Sequence, residues 1–119
     1  MRRNLLRIWF GPVLIVLAFA AAAQGGAKAA GWNLYRDFTF TGESDAIRTE
    51  DRTKAREVAE YLVLNPSLRI GLDGMNQGRV STVREALVQA GVPEWRIDSG
   101  TFGEPHMRGV RRVLVMVGR

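Results

Sequence analysis

Residues 111–117 read as a strand that from Val113 on is apolar on both faces of an extended chain, and that restricts the folds open to this protein. Val113, Val115 and Val117 fall on one side and Leu114 and Met116 on the other, because side chains alternate along a strand. Such a segment needs cover above and below it, so it is expected to be a central strand. Leu68, Ile70 and Leu72 alternate with Arg69, Gly71 and Asp73, which predicts a shorter strand with one apolar face. Residues 32–41 carry Tyr35, Phe38 and Phe40 beside Thr39 and Thr41, and Gly42-Glu43-Ser44-Asp45 follows. Aromatic and β-branched enrichment closed by turn residues predicts another strand. A fourth is expected over residues 96–102.

Between these strands the period changes. Ala55, Val58, Ala59 and Leu62 recur at i, i+3, i+4 and i+7, so residues 49–64 are expected to form an amphipathic helix. Thr49 is the expected N-cap, with Glu50 and Asp51 in a first turn whose dipole favours anions. Pro66 ends the helix, because the residue before a proline is pushed out of the α region. Val80, Val83, Leu87 and Ala90 predict a second helix, closed by Gly91 as its C′ residue and followed by Pro93. The order is β-α-β-α-β-β, an α+β fold. Two helices packed on one face of a small mixed sheet bury all of these stripes, giving a two-layer sandwich.

The N-terminus has a different character. Arg2, Arg3 and Arg7 precede an uncharged run over residues 8–23, and small and polar residues follow. A basic start, an apolar middle and the exit Ala21-Ala22-Ala23 before Gln24 have the layout of a secretory signal peptide. An uncleaved anchor is the alternative, and the run is short against the roughly 20 apolar residues that span a bilayer. Residues 1–23 are therefore expected to be a leader, 24–31 a tether and 32–119 the folded domain. The chain has no cysteine, so disulfides cannot staple it and its stability must come from a packed core. Of its 17 basic residues three precede Ala23, as do none of its 12 acidic ones, so 14 remain against 12. That near balance gives no argument for nucleic-acid binding.

Along residues 32–119 local motifs resemble the OmpA-like domain family, here in a shortened and divergent form. Phe38-Thr39-Phe40 matches the family's aromatic first strand. Ala59-Glu60-Tyr61-Leu62 followed by Asn65-Pro66 resembles its first helix and helix exit, and Arg69-Ile70 opens the second strand in the same way. Gly91-Val92-Pro93 followed by Arg96-Ile97 is similar to its link from the second helix. Gly100-Thr101-Phe102-Gly103-Glu104-Pro105 resembles its Gly-aromatic-Gly-Glu turn, and Arg111-Arg112-Val113 its final strand.

The resemblance implies a periplasmic domain that associates non-covalently with peptidoglycan. In the family an aspartate and an arginine bind the two ends of diaminopimelate. The arginine's planar fork pairs with a carboxylate, and the aspartate accepts from an ammonium. Aligning the second helix places the arginine on Arg79. Aligning Gly74 with the glycine of the family's Gly-His-Thr-Asp motif puts Met75, Asn76 and Gln77 on the other positions. The aspartate thus becomes Gln77, which accepts a hydrogen bond but cannot neutralise an ammonium. Charge-assisted bonds are about twice as strong as neutral ones, so binding is expected to be weakened or altered. The loop after this motif, a wall of the family's pocket, is also cut short. Asp73, taken to lie on the exposed side of its strand, is the candidate substitute acid, and Arg112 lines the same site as the family's corresponding arginine does.

Each candidate has a plainer reading. Arg79 is also a solvated residue in the first turn of a helix, and Asp73 and Gln77 are also polar residues in water. His106, the one histidine, has no cysteine or second histidine beside it to build a metal site of that kind. Arg108, Arg111 and Arg112 read either as contacts to anionic wall or lipid groups or as charges that discourage edge pairing. The chain has no Gly-x-Ser-x-Gly elbow, no Walker loop and no cysteine nucleophile. A non-enzyme without cofactor is therefore expected, with peptidoglycan or an envelope protein as partner. The membrane is touched through the N-terminal segment alone, if that segment stays uncleaved. The competing expectation is a fold retained as a protein–protein module without wall binding.

Overall fold

The computed structural model describes residues 31–119. The expected leader and nearly all of the expected tether lie outside the described residues. Among those described, no helix is long and apolar enough to cross a membrane.

Four strands and two α-helices follow one another as β1 (Asn33–Thr39), α1 (Arg52–Leu64), β2 (Arg69–Gly74), α2 (Gln77–Gln89), β3 (Ile97–Ser99) and β4 (Arg112–Gly118). The element order and the α+β class are those expected. The sheet runs β1-β4-β2-β3. β4 lies antiparallel to both β1 and β2, with Phe38 opposite Val113 and Ile70 opposite Val117, while β2 and β3 run parallel. The strand predicted to be central is therefore central.

One sheet face carries Phe38, Ile70, Leu72, Val113, Val115 and Val117, packed with Val58 and Leu62 of α1 and Val83 and Leu87 of α2. Leu114 and Met116 point the other way and are equally buried. Among the described residues no α-helix covers them. Instead the segment joining β3 to β4 folds back across the sheet. Phe102 lies so close to Gly71 that a Cβ there would stand 2.6 Å from its ring, and Trp32 packs on Phe102 with ring centroids 4.5 Å apart. This is why β3 is three residues long rather than the seven expected. The aromatic of the expected strand is needed as a lid over the second face.

Helix ends show one expectation met and one corrected. Ala90 caps α2, the Gly91 N–H donates to the Val88 carbonyl and the Val92 N–H to the Leu87 carbonyl, with Gly91 at φ 114°. This is the Schellman arrangement. Gly91→Ala forces a Cβ into that backbone region and is expected to cost about 1–2 kcal/mol. A lower urea midpoint at unchanged slope would show it, and an unchanged midpoint would refute it.

Thr49, in contrast, does not cap α1. Residues Thr49–Asp51 form a 3-10 turn, α1 starts at Arg52, and no side-chain cap bond is made. Asp51 turns instead toward β1, where its Oδ2 accepts from the Thr39 N–H at 2.9 Å, and its Oδ1 pairs with Lys54 at 3.1 Å. An edge-strand N–H that the ladder leaves free is a stronger attraction for a buried carboxylate than an N-cap is.

Candidate ligand-binding site

The turn from β2 into α2 and the β3–β4 segment face each other across a cleft of about 370 Å³. It is lined by apolar Leu72, Val80 and Met75 and by polar Asp73, Gln77, Ser99, Thr101 and Arg108. β2 delivers Asp73 and Gly74 to its floor. Asn76 then starts α2, its side-chain Oδ1 accepting from the Arg79 N–H at 3.1 Å. A short polar side chain at this N-cap replaces a longer loop. Asn76 is thus half-buried and structural, whereas Gln77 beside it is exposed at the cleft wall.

Asp73 is not on an exposed side of its strand. It lies on the second sheet face beside Leu114, is 2% exposed, and is covered by the β3–β4 segment. Its Oδ2 accepts from the N–H groups of Phe102 (2.8 Å) and Gly103 (2.7 Å), and its Oδ1 from Arg108 Nε (2.8 Å). Burial alone pushes the Asp73 carboxyl up. The Arg108 guanidinium and the Gly103 and Phe102 N–H groups outweigh it and hold the group below the ordinary aspartate value. Asp73 is the post to which the lid over the second face is tied.

Arg79 is buried as well, 3% exposed, over the Phe40 ring at 5.3 Å. Its Nη2 donates to the Gly42 carbonyl (2.7 Å), its Nη1 to the Val110 carbonyl (3.0 Å) and its Nε to Asp45 (3.1 Å). One guanidinium thereby joins the loop after β1, the start of α2 and the approach to β4. Asp45 is half-exposed. Arg112 is half-buried at the start of β4, where its Nε meets Asp37 at 2.7 Å and its Nη1 the Met107 carbonyl at 2.7 Å.

The structure thus brings Asp73 and Gln77 together on the cleft wall, with Asn76 capping the helix beside them. It holds Arg79 and Arg112 in separate internal networks. Two arginines carry more than the sequence reading assigned them. Arg108 lines the cleft and clasps Asp73, its Nη2 also donating to the Gly103 carbonyl at 2.7 Å. Arg96, expected to open a strand, is buried and donates to the carbonyls of Leu62, Asn65 and Leu68. That locks the exit of α1 to the entry of β2. The arginine preceding Ile97 was visible as a motif, but the three carbonyls it serves meet only after α1 turns back onto the sheet.

No protein-family model matches this sequence, and no curated protein does either. Solved structures do match. The peptidoglycan-associated lipoprotein from Burkholderia pseudomallei superposes with a TM-score of 0.54 at 22% identity, over 69% of this chain and 90% of that one. The C-terminal domain of Helicobacter pylori MotB gives 0.58 at 17% identity, over 71% and 85%. The OmpA-like domain of FopA1 from Francisella tularensis gives 0.53 at 11%, over 85% and 92%. The fold is OmpA-like. At these identities the likeness speaks for the architecture, and within this OmpA-like fold the cleft, the buried Asp73 and the Asp45–Arg79 pair are read from this chain's own geometry.

Described residues hold no cluster of three or more histidine, cysteine or acidic side chains placed to bind a metal. His106 is exposed within a short 3-10 turn, Pro105–Met107.

Proposed function

We propose that this domain associates non-covalently with peptidoglycan in the periplasm of a Gram-negative envelope, with affinity weakened or altered by the shortened β2–α2 turn. The observation that carries the reading is the cleft between that turn and the β3–β4 segment, in an OmpA-like fold. A solved structure of similar fold is named a peptidoglycan-associated lipoprotein, which supports the same class of ligand. Residues 1–23, as a leader, bring the domain to that compartment. In this reading Asp73 shapes the floor, Asn76 and Gln77 present the turn, and Arg112, outside the cleft lining, braces the β3–β4 segment through the Met107 carbonyl. Arg79 also lies outside the cleft lining, and it takes a separate ligand carboxylate at its Nε in place of Asp45, its half-exposed partner.

The test is co-sedimentation of the full chain with isolated sacculi, competed by free diaminopimelate. Saturable pelleting that the competitor abolishes is expected. Asp45→Ala removes the internal carboxylate while the Gly42 and Val110 carbonyls still accept from Arg79, and thermal unfolding alongside the pelleting shows that the variant is folded. If Arg79 is a carboxylate anchor, this variant binds several-fold more tightly. Equal pelleting of variant and wild type would remove Arg79 from the ligand set.

A second reading is favoured by the internal pairing of Arg79 with Asp45 and of Arg112 with Asp37. Arginines satisfied within the chain are those of a fold kept as a scaffold for an envelope protein. Absence of pelleting, with a partner that co-purifies, is the outcome this reading requires.

A further inference from the structure

We propose that the cleft is a carboxylate site whose anchor is Arg108 of the β3–β4 segment, and that its ligand is the free C-terminal carboxylate of a short peptide, with no ammonium recognised. This deepens the wall-association reading and rests on it for the source of the peptide.

The argument begins with what Arg108 leaves over. Its Nε donates to Asp73 and its Nη2 to the Gly103 carbonyl, and Nη1 makes no hydrogen bond among the described residues. Arg108 lines the cleft with its side chain one-fifth exposed, while Asp73 behind it is almost wholly covered. The bonds it donates to buried Asp73 and to the Gly103 carbonyl hold the guanidinium still, so an anion meeting Nη1 does not have to order a long side chain. The same pairing removes the cleft's negative charge. Asp73 is the one acid lining it, and that carboxylate already accepts from Arg108 and two backbone N–H groups. At the rim the Ser99 hydroxyl accepts from Arg84 Nη2 at 2.8 Å, which adds a second cation nearby.

The remaining lining sets the rest of the ligand. Gln77 and Thr101 offer an amide and a hydroxyl to a peptide bond, and Leu72, Val80 and Met75 form an apolar wall suited to a small aliphatic side chain. Nothing in the lining offers an unpaired carboxylate to an ammonium. A zwitterionic amino-acid end therefore gains no more here than a plain carboxylate does.

The probes are N-acetyl-alanyl-alanine, its C-terminal amide and alanyl-alanine with a free amine, titrated by NMR into the full chain. The acetylated and free-amine peptides are expected to bind within about twofold of each other, and the amide at least tenfold more weakly. Arg108→Lys keeps a cation for Asp73 but loses Nη1, and is expected to weaken the acetylated peptide at least tenfold. Gln77→Trp, at an exposed position, blocks the cleft mouth without touching the Asp73 network, so it reports even where the Arg108 variant fails to fold. Equal binding of amide and acid, or full binding by Gln77→Trp, overturns the proposal, as does the absence of peptide binding. Sacculus pelleting that persists in these cases leaves the wall reading standing with its site elsewhere. Peptide binding that requires Arg108, in a chain that never pellets with sacculi, upholds the carboxylate site and removes the wall as its source.

Discussion

Asp73→Ala is expected to lower the stability of the domain by about 3–5 kcal/mol, the range for breaking a buried ion pair by removing one partner. The substitution strips the Phe102 and Gly103 N–H groups of their acceptor and leaves Arg108 uncompensated over the second sheet face. The effect carries a pH signature. The Asp73 carboxyl in the fold lies below its ordinary value of about 3.9. Its contribution is therefore complete above that value and is lost as pH falls through the lower, folded one. Wild-type stability should stay level from neutrality to about pH 5 and fall below about pH 4, whereas the variant starts lower and falls less steeply. A residual acid limb remains from Asp51. Burial pushes that carboxyl up, and the Thr39 N–H, Lys54 and Arg48 more than reverse it. Urea unfolding from pH 3 to 8 reads both effects. A variant as stable as wild type at neutral pH would mean that the β3–β4 segment is not held by Asp73.

Arg79→Ala is expected to cost about 3 kcal/mol, because three charge-assisted bonds are removed at once and the Gly42 and Val110 carbonyls are left to find water. Arg79→Lys should recover little, since a point ammonium cannot reach three acceptors set out for a planar fork. Thermal unfolding compares the three proteins. If the lysine variant matches wild type, the guanidinium geometry is not what joins the loops. The result bears directly on function. Loss of sacculus binding in Arg79→Ala, without a measurement of folding, does not separate a ligand residue from a structural one. The Asp45 variant does, because its removal leaves the carbonyl bonds of Arg79 in place.

The periodicities carried most of the architecture. Two helical stripes, one strand apolar on both faces and one on a single face left few arrangements of a small α+β domain, and β4 is central for the reason its side chains showed. Gly91 announced the end of α2 because a positive φ is a local demand that one residue type meets. These features depend on neighbours within a few residues, and a sequence displays such neighbours directly.

The candidate site was legible only in outline. The turn at residues 74–77 was found, and Gln77 is exposed on the cleft wall. Asp73, however, was assigned the wrong environment. Alternation placed it opposite the helices, and the helix-free face of a two-layer sheet is ordinarily wet. The 12 residues between β3 and β4 decided otherwise by folding back over that face. Arg79 and Arg108 have the same composition-level meaning, a cation in a polar stretch. Their partners lie 34 and 35 residues away along the chain.

What the sequence determined by itself, then, is the set of elements, their order and which strand needs cover on both sides, since burial of apolar surface follows local pattern. What the tertiary structure alone decided is which charged side chains hold the fold together and which are left facing a cleft. The cost of burying a charge is met by partners that folding brings from remote parts of the chain, and no local pattern records where they come from.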